Sequence, residues 1–134
     1  MGAARARSSV KGLTLDAGAL IAVDRGDRRM IALLRQALSE GTCVRVPAGV
    51  VGQAWRDGAR QAILARFLRA REVELPALDE PLARAAGELC GLKGTADVID
   101  ASVVLIARKT GDSILTSDPA DLRKLDPSVV LERV

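Results

Sequence analysis

The sequence predicts a single α/β domain in which helices cover both faces of a mainly parallel sheet. Apolar strand-like stretches alternate with amphipathic helical stretches along the whole chain, which is typical of α/β proteins. The 134 residues suit one domain, and 49% of them are apolar, enough to bury a substantial core. We expect the domain to span residues 12–134. It would follow a flexible basic leader over residues 1–11, which has no apolar segment of the secretory type.

The first half of the chain begins with a short strand that gives way to helical spacing at Asp16. The clearest helix spans 27–41, because its apolar residues recur on one face and Gly41 supplies an end signal. A second strand stops before Pro47, since proline cannot donate to a strand ladder. Two further helices are predicted over 48–58 and 60–70.

The second half of the chain repeats the alternation. Asp79 is placed to cap a helix whose first turn contains Pro81, a position where proline is tolerated. The predicted elements are a strand over 71–76, helices over 78–94 and 97–110, a strand over 112–118, a short helix or turn over 118–126 and a strand over 127–134.

The composition excludes several classes of chemistry. The chain has no histidine, so Ser-His-Asp triads and ordinary catalytic zinc sites are ruled out. One Trp, one Phe and no Tyr argue against modules of the RRM or OB type, which bind nucleic acid by stacking. Cys43 and Cys90 lie in apolar contexts without a CxxC motif. We therefore expect buried thiols and a cytoplasmic protein. No apolar stretch approaches the ~20 residues of a membrane span.

Four aspartates are predicted to meet at one edge of the sheet. Asp16 ends the first strand and Asp118 ends the fourth, while Asp97 and Asp100 share a face at the start of the helix before that strand. Ligands of open α/β sheets bind at the carboxyl ends of the strands. Clustered carboxylates repel one another unless a cation lies between them, and Mg²⁺ prefers oxygen ligands. Such a site would activate a water molecule to attack a phosphodiester.

Helix capping is the competing explanation for these acids. Asp97 and Asp118 both precede predicted helices, where an aspartate satisfies free N–H groups and the helix dipole. Asp16 could likewise cap the helix that follows it. The two roles are compatible, and all three segments would have to cap helices at the same edge for capping alone to explain the pattern.

The positive charge of the chain is concentrated in one segment. The net charge is +3, and five arginines lie within sixteen residues. Such a cluster attracts phosphates, and it is equally consistent with a solvated helix face. The arginines are Arg56, Arg60, Arg66, Arg69 and Arg71.

Three motifs in this order resemble the PIN domain, and in particular the VapC-type toxin nucleases. They are "LTLDAGALIAVDRGD", "VVGQAWRDG" and "ADVIDASVVLIARKTGDSILTSDPADLRKL", and the resemblance covers residues 12–134. It implies a PIN-like three-layer α/β/α sandwich with a mainly parallel four- to five-stranded sheet. It also implies a Mg²⁺- or Mn²⁺-dependent endoribonuclease of a toxin–antitoxin system.

The resemblance assigns roles to residues of this chain. Asp16, Asp100 and Asp118 match metal-holding acids, Asp97 is a further acid of the same pattern, and Thr116 and Asp121 flank the site. The family also implies a homodimer and a small antitoxin that inserts toward the acids, with an RNA substrate and no membrane association.

Gln53 departs from the family pattern, which has a glutamate on the helix after the second strand. An amide offers one neutral oxygen where a carboxylate would offer a charge. A catalytically weak or inactive PIN-like module that binds RNA or protein is therefore an alternative to the ribonuclease.

Two other acidic α/β classes fit poorly. A response-regulator receiver needs an adjacent acidic pair after strand one and an aspartate ending strand three, and this chain has "DAGA" and Leu75-Pro76 there. A HAD-type phosphatase needs a second aspartate at the position of Gly18.

Overall fold

A computed structural model describes residues 11–133 as a five-stranded parallel sheet between two layers of helices. The leader predicted over residues 1–11 lies, except for Lys11, outside the described residues. The strands are β1 (Leu13–Leu15), β2 (Val44–Arg45), β3 (Val73–Glu74), β4 (Ser113–Thr116) and β5 (Leu131–Arg133). The helices are α1 (Ala17–Asp24), α2 (Arg28–Ser39), α3 (Ala48–Ala54), α4 (Ala62–Leu68), α5 (Glu80–Lys93), α6 (Val98–Thr110) and α7 (Pro119–Leu125), with a 3₁₀ turn at Gly58–Arg60.

The strand order is β3-β2-β1-β4-β5, and every pair is parallel. The chain builds outward from β1 to β3, then crosses back over the sheet through α5 and α6 to pair β4 with β1. The order therefore reverses between β1 and β4, which is the point where open α/β sheets bind their ligands. The α/β prediction with a mainly parallel sheet is confirmed.

The two helical layers follow from this crossover. Helices α1 to α4 pack on one another on one face, and α5, α6 and α7 pack together on the other. A parallel sheet covered on both faces requires apolar strands, and the fully buried side chains include Leu15, Val44, Ile114 and Leu115. They join helix residues such as Leu20 in a single core.

The helix predicted over 48–58 ends early, at Ala54, because a side chain replaces its last hydrogen bonds. The Gln61 amide donates to the Ala54 carbonyl at 2.9 Å and accepts from the backbone N–H groups of Arg56 and Asp57 at 2.8 and 2.9 Å. Gln61 is 7% exposed. Periodicity could not show this, since the contacts are made by one glutamine from the following helix.

The remaining predicted elements are present with shorter bounds. The third strand, predicted over 71–76, is reduced to Val73–Glu74, where it pairs with β2. Gly94 and Gly111, at φ +68° and +79°, end α5 and α6 in the left-handed conformation that glycine adopts most readily.

The predictions for the cysteines are confirmed, since Cys43 and Cys90 are buried and free. Burial raises the pKa of the Cys43 thiol to about 11 and also raises that of Cys90. Over the described part of the chain, none of the helices has the length and apolarity needed to cross a membrane.

Candidate metal centre

Asp16 occupies the carboxyl end of β1 and performs two structural tasks. Its Oδ1 accepts from the Ala19 N–H at 2.9 Å and caps α1, while its Oδ2 accepts from the Thr116 hydroxyl at 2.5 Å. Only 6% of the residue is exposed. Burial raises the pKa of Asp16; the Thr116 and Ala19 bonds act against this, and the charge of Asp118 adds to it. The carboxylate is therefore held in place without a cation.

Thr116 and Asp118 come from the neighbouring strand β4. The backbone N–H of Asp118 donates to the Thr116 hydroxyl oxygen at 2.9 Å, so that one hydroxyl connects the ends of both strands. Asp118 stands at the N-cap of α7, but its side chain makes no capping hydrogen bond. Capping therefore does not explain why an aspartate stands here. The charge of Asp118 contributes to the raised pKa of Asp16.

Asp97 and Asp100 form the third part of the site, at the start of α6. Asp97 is exposed, and its Oδ1 accepts from the Asp100 N–H at 2.9 Å, which makes it the cap of that helix. Burial, followed by the charges of Asp97 and Asp16, raises the pKa of Asp100 to about 7. The charge of Asp121 adds to the increase. Asp100 thus faces the cap of its own helix and acids from two other segments, Asp16 after β1 and Asp121 in α7.

These interactions bring together all of the acids that the sequence placed at this edge. In the side-chain positions of the structure, however, no three Asp, Glu or Cys residues among residues 11–133 are close enough to bind one metal ion directly. Mg²⁺ commonly binds through one or two carboxylates and keeps several waters. Asp16 interacts electrostatically with both Asp118 and Asp100, so that acids reach one another in pairs, which is consistent with that mode.

Gln53 contributes an unpaired oxygen. Its Oε1 is buried and has no hydrogen-bond partner, which is costly for an amide. Gly49, one helical turn earlier, lies so close to the start of α6 that an added Cβ would be 2.4 Å from Ile99 Cδ1. Since residues i and i+4 share a helix face, Gln53 lies on the side of α3 that faces α6 and its acids.

Gly18 stands where a HAD-type phosphatase would have its second aspartate. A Cβ at this position would lie 2.4 Å from the Ser117 hydroxyl and 3.6 Å from Asp16 Oδ1. A side chain here would have to displace the exposed Ser117 hydroxyl, and Ser117 directly precedes Asp118.

The clustered arginines lie on the surface. All five predicted residues are exposed. Arg56 Nη1 donates to the carbonyls of Gly52 and Trp55 at 3.0 and 2.7 Å. The side chain of Arg60 is 88% exposed and 3.7 Å from Asp57. The residues are Arg56, Arg60, Arg66, Arg69 and Arg71.

Sequence reasoning missed a buried acid at the opposite end of the sheet. Asp112 precedes β4 and accepts hydrogen bonds from the Gly12 N–H at 2.6 Å, the Thr14 hydroxyl at 2.7 Å and Arg45 Nη1 at 2.8 Å. Arg45 is 1% exposed and is also 3.4 Å from Glu74. An arginine inside the apolar stretch "CVRV" was the available signal, because a buried guanidinium requires an anion.

The chain matches no family model and no curated protein sequence. Its fold is nevertheless shared with solved structures, of which ten chains match.

One similar structure is VapBC2 from Rickettsia felis bound to a DNA fragment from its promoter, with a TM-score of 0.66, 16% identity and coverage of 91% of this chain and 98% of that one. FitAcB from Neisseria gonorrhoeae has a TM-score of 0.60 and 18% identity, with coverage of 89% of this chain and 95% of that one. FitAB bound to an IR36 DNA fragment has a TM-score of 0.61 and 15% identity, with coverage of 90% of this chain and 94% of that one. At these identities the likeness establishes the fold: the chain has the PIN-like α/β/α sandwich that its motifs predicted.

Proposed function

We propose that this chain is a divalent-metal-dependent endoribonuclease and the toxin component of a VapBC-type pair. The observation that carries the proposal is the convergence of acids from separate segments at one edge of the sheet: the Thr116 hydroxyl joins Asp16 to the backbone of Asp118, and the charges of Asp97 and Asp16 act with burial to raise the pKa of Asp100. Acids that share one site and perturb one another in this way are typical of functional sites. The site also lies at the switch point of the sheet, where this fold class binds ligands.

The donor set fits Mg²⁺ or Mn²⁺. It contains carboxylate oxygens and one orphaned amide oxygen, Gln53 Oε1, which are the hard ligands that these ions prefer. The thiol of Cys90 lies near enough to interact with Asp97 and Asp100, but burial and those charges raise its pKa and so disfavour the thiolate that would bind a metal. Because no three of the described acids reach one ion directly, Asp16, Asp100 and Asp118 would hold it in part through bound waters, with Asp97 as a direct or water-mediated ligand. When bound, a divalent ion polarises a phosphodiester and lowers the pKa of water.

The protein's own contribution is positioning. The Thr116 hydroxyl fixes Asp16 by donating to Oδ2 and fixes the backbone of Asp118 by accepting from its N–H. Asp97 orders the first turn of α6 and so sets the position of Asp100. The charge cluster attracts a cation but repels phosphates, so RNA would approach through the arginines Arg56, Arg60, Arg66 and Arg69.

The proposed partners follow from the same resemblance. The similar structures are named as VapBC2 and FitAB complexes, which supports an antitoxin partner for this chain. We propose that the antitoxin presents a cationic side chain to the acids, which would neutralise the repulsion that raises the pKa of Asp100. We further propose that the chain forms a homodimer in the cytoplasm.

The test is cleavage of a total RNA preparation by the purified chain with Mg²⁺, with Mn²⁺ and with EDTA. Cleavage in the presence of metal is expected, and EDTA or Asp100→Asn should abolish it. Glu88→Gln is the matched control, because it removes the same charge from an exposed position on α5. Equal cleavage by the wild type and Asp100→Asn would contradict the proposal.

The second candidate is a non-catalytic RNA- or protein-binding module, and Gln53 is the observation that favours it. RNA that stays intact with every metal but is still bound would support this candidate. Gln53→Glu sharpens the choice: a gain of metal affinity and of cleavage would show that the site needs only one further charge.

A further inference from the structure

One aromatic side chain lies exposed in the arginine-rich segment. Trp55 follows α3 directly, and 38% of it is open to solvent. It is the sole tryptophan of the chain, and there is no tyrosine. Exposing so large an aromatic side chain forgoes the stabilisation that its burial would give. An exposed apolar residue alone requires no explanation, but an indole among exposed arginines has the chemistry of a binding residue.

The segment around Trp55 is held firmly. Gln61 fixes the backbone that follows Trp55 by accepting from the Arg56 and Asp57 N–H groups. The indole packs against Gly58, where an added Cβ would lie 2.7 Å from Trp55 Cζ2. Glycine at this position thus permits the contact. A pre-ordered aromatic group binds a ligand without paying the cost of ordering it.

The surrounding charge indicates the chemistry of the ligand. Residues 54–72 contain five arginines, all exposed, and two acids, Asp57 and Glu72. The segment therefore has a net charge of +3, which equals the net charge of the whole chain. A polyanion is attracted to this surface. An aromatic ring beside cations is the combination that binds single-stranded nucleic acid, through base stacking and phosphate contacts.

We propose that Trp55 stacks on a base of single-stranded RNA while Arg56 and Arg60 contact the neighbouring phosphates. This inference rests on the proposed function for the identity of the polymer, and it assigns a binding residue for that substrate. The scarcity of aromatics excludes a platform of several stacked bases, so one base is held here. The contact is tolerant of sequence, because every base has a face on which an indole stacks.

Intrinsic fluorescence tests the inference directly, since Trp55 is the only strong fluorophore. A single-stranded oligoribonucleotide of mixed sequence is titrated in EDTA, so that binding is measured without cleavage. A second oligomer has the same phosphates but no bases. Quenching by the first and not by the second is expected. Anisotropy of the labelled oligomers gives both affinities independently.

The variants measure how much the aromatic ring of Trp55 contributes to RNA binding. Trp55→Ala should weaken RNA binding by about tenfold, and Trp55→Phe should lose much less because the ring remains. Val130→Ala is the control, since Val130 is an exposed apolar residue preceding β5. Thermal unfolding confirms that each variant is folded. If Trp55→Ala is not, Trp55→Leu, which keeps apolar bulk but has no aromatic face, carries the test and should weaken RNA binding to the same extent.

The inference is overturned by binding that is unchanged in Trp55→Ala, by equal affinity for the baseless oligomer, or by the absence of RNA binding. It is also overturned if Trp55→Ala alters only self-association, because the surface would then be a protein contact. If Trp55→Ala binds RNA normally and the protein cleaves RNA, the inference about Trp55 is wrong and the proposed ribonuclease stands. If binding depends on Trp55 but RNA is not cleaved, the inference about Trp55 stands and the proposed ribonuclease is wrong.

Discussion

The two ends of the central sheet treat buried aspartate in opposite ways. At the amino end, Asp112 receives hydrogen bonds from Gly12, Thr14 and Arg45, and the arginine is itself an ion-pair partner. At the carboxyl end, Asp16 and Asp100 face other acids. Among the described side chains of residues 11–132, no lysine or arginine forms an ion pair with them. The first arrangement contains its own cation, whereas the second receives none from this part of the chain.

This difference separates structural acids from candidate functional acids. A buried carboxylate with a buried cation and full hydrogen bonding contributes to the fold, and losing its partner is costly. Carboxylates that raise one another's pKa reduce stability, so their retention requires another benefit. The contrast favours a framework role for Asp112, which precedes β4, and a role in the candidate site for Asp100, which lies in the first turn of α6.

The largest effect is expected from breaking the framework pair. Asp112→Asn removes the anion that compensates Arg45, so the free energy of unfolding should fall by about 4 kcal/mol. Urea denaturation measures this. Asp57→Asn, which changes a mostly exposed carboxylate, should alter stability by less than about 0.5 kcal/mol. Equal effects of the two changes would remove the basis for calling Asp112 structural.

A smaller effect is expected at the second paired acid, Asp126. Hydrogen bonds from Ser128 and the contact with Arg108 lower the pKa of Asp126 to about 2. Because the pKa is lower in the folded state, this stabilisation is present above pH ~4 and is lost as the pH falls toward 2. Asp126→Asn should cost about 2 kcal/mol at pH 6 and almost nothing at pH 2. A cost that does not change with pH would point to packing instead.

The stability contributed by Asp100 should depend on pH in the opposite direction to that contributed by Asp126. Because the pKa of Asp100 is raised to about 7, the metal-free protein loses stability as the pH rises from about 4 to 7. Asp100→Asn should therefore stabilise the metal-free protein at pH 8, by about 1 kcal/mol after allowing for partial exposure. Melting temperatures across pH test this. Mn²⁺ should raise the melting temperature of the wild type more than that of the variant, and the reverse order would contradict the site.

The smallest change in stability is expected at Gly18. Gly18→Ala gains helix propensity in α1, by about 1 kcal/mol at most, but its Cβ meets the exposed Ser117 hydroxyl. We expect these effects to cancel to within about 1 kcal/mol, while displacement of Ser117 weakens Mn²⁺ binding by moving Asp118. Calorimetric titration with Mn²⁺ measures this. Adding Ser117→Gly should restore the affinity; if it does not, the contact is not the cause.

Local signals predicted most of the architecture. The stripe of Met30, Leu34 and Ala37 identifies α2, and the alternation of helices and strands identifies the parallel sheet, because burial on both faces demands that pattern. Helix α3 shows the limit of such signals. It ends four residues before Gly58 because Gln61 supplies the missing hydrogen bonds, and a side-chain contact of this kind leaves no periodic pattern in the sequence.

For the site, the sequence by itself determined which acids end strands or begin helices, and hence that Asp16, Asp97, Asp100 and Asp118 share one edge. The tertiary structure decided how each is used: Asp16 and Asp97 also cap helices, whereas the side chain of Asp118 is left uncapped. It alone revealed the pairing of Arg45 with Asp112 and the exposure of Trp55. Spacing along the chain sets which residues share an edge or a face. The contacts that neutralise or expose a side chain depend on segments far apart in sequence.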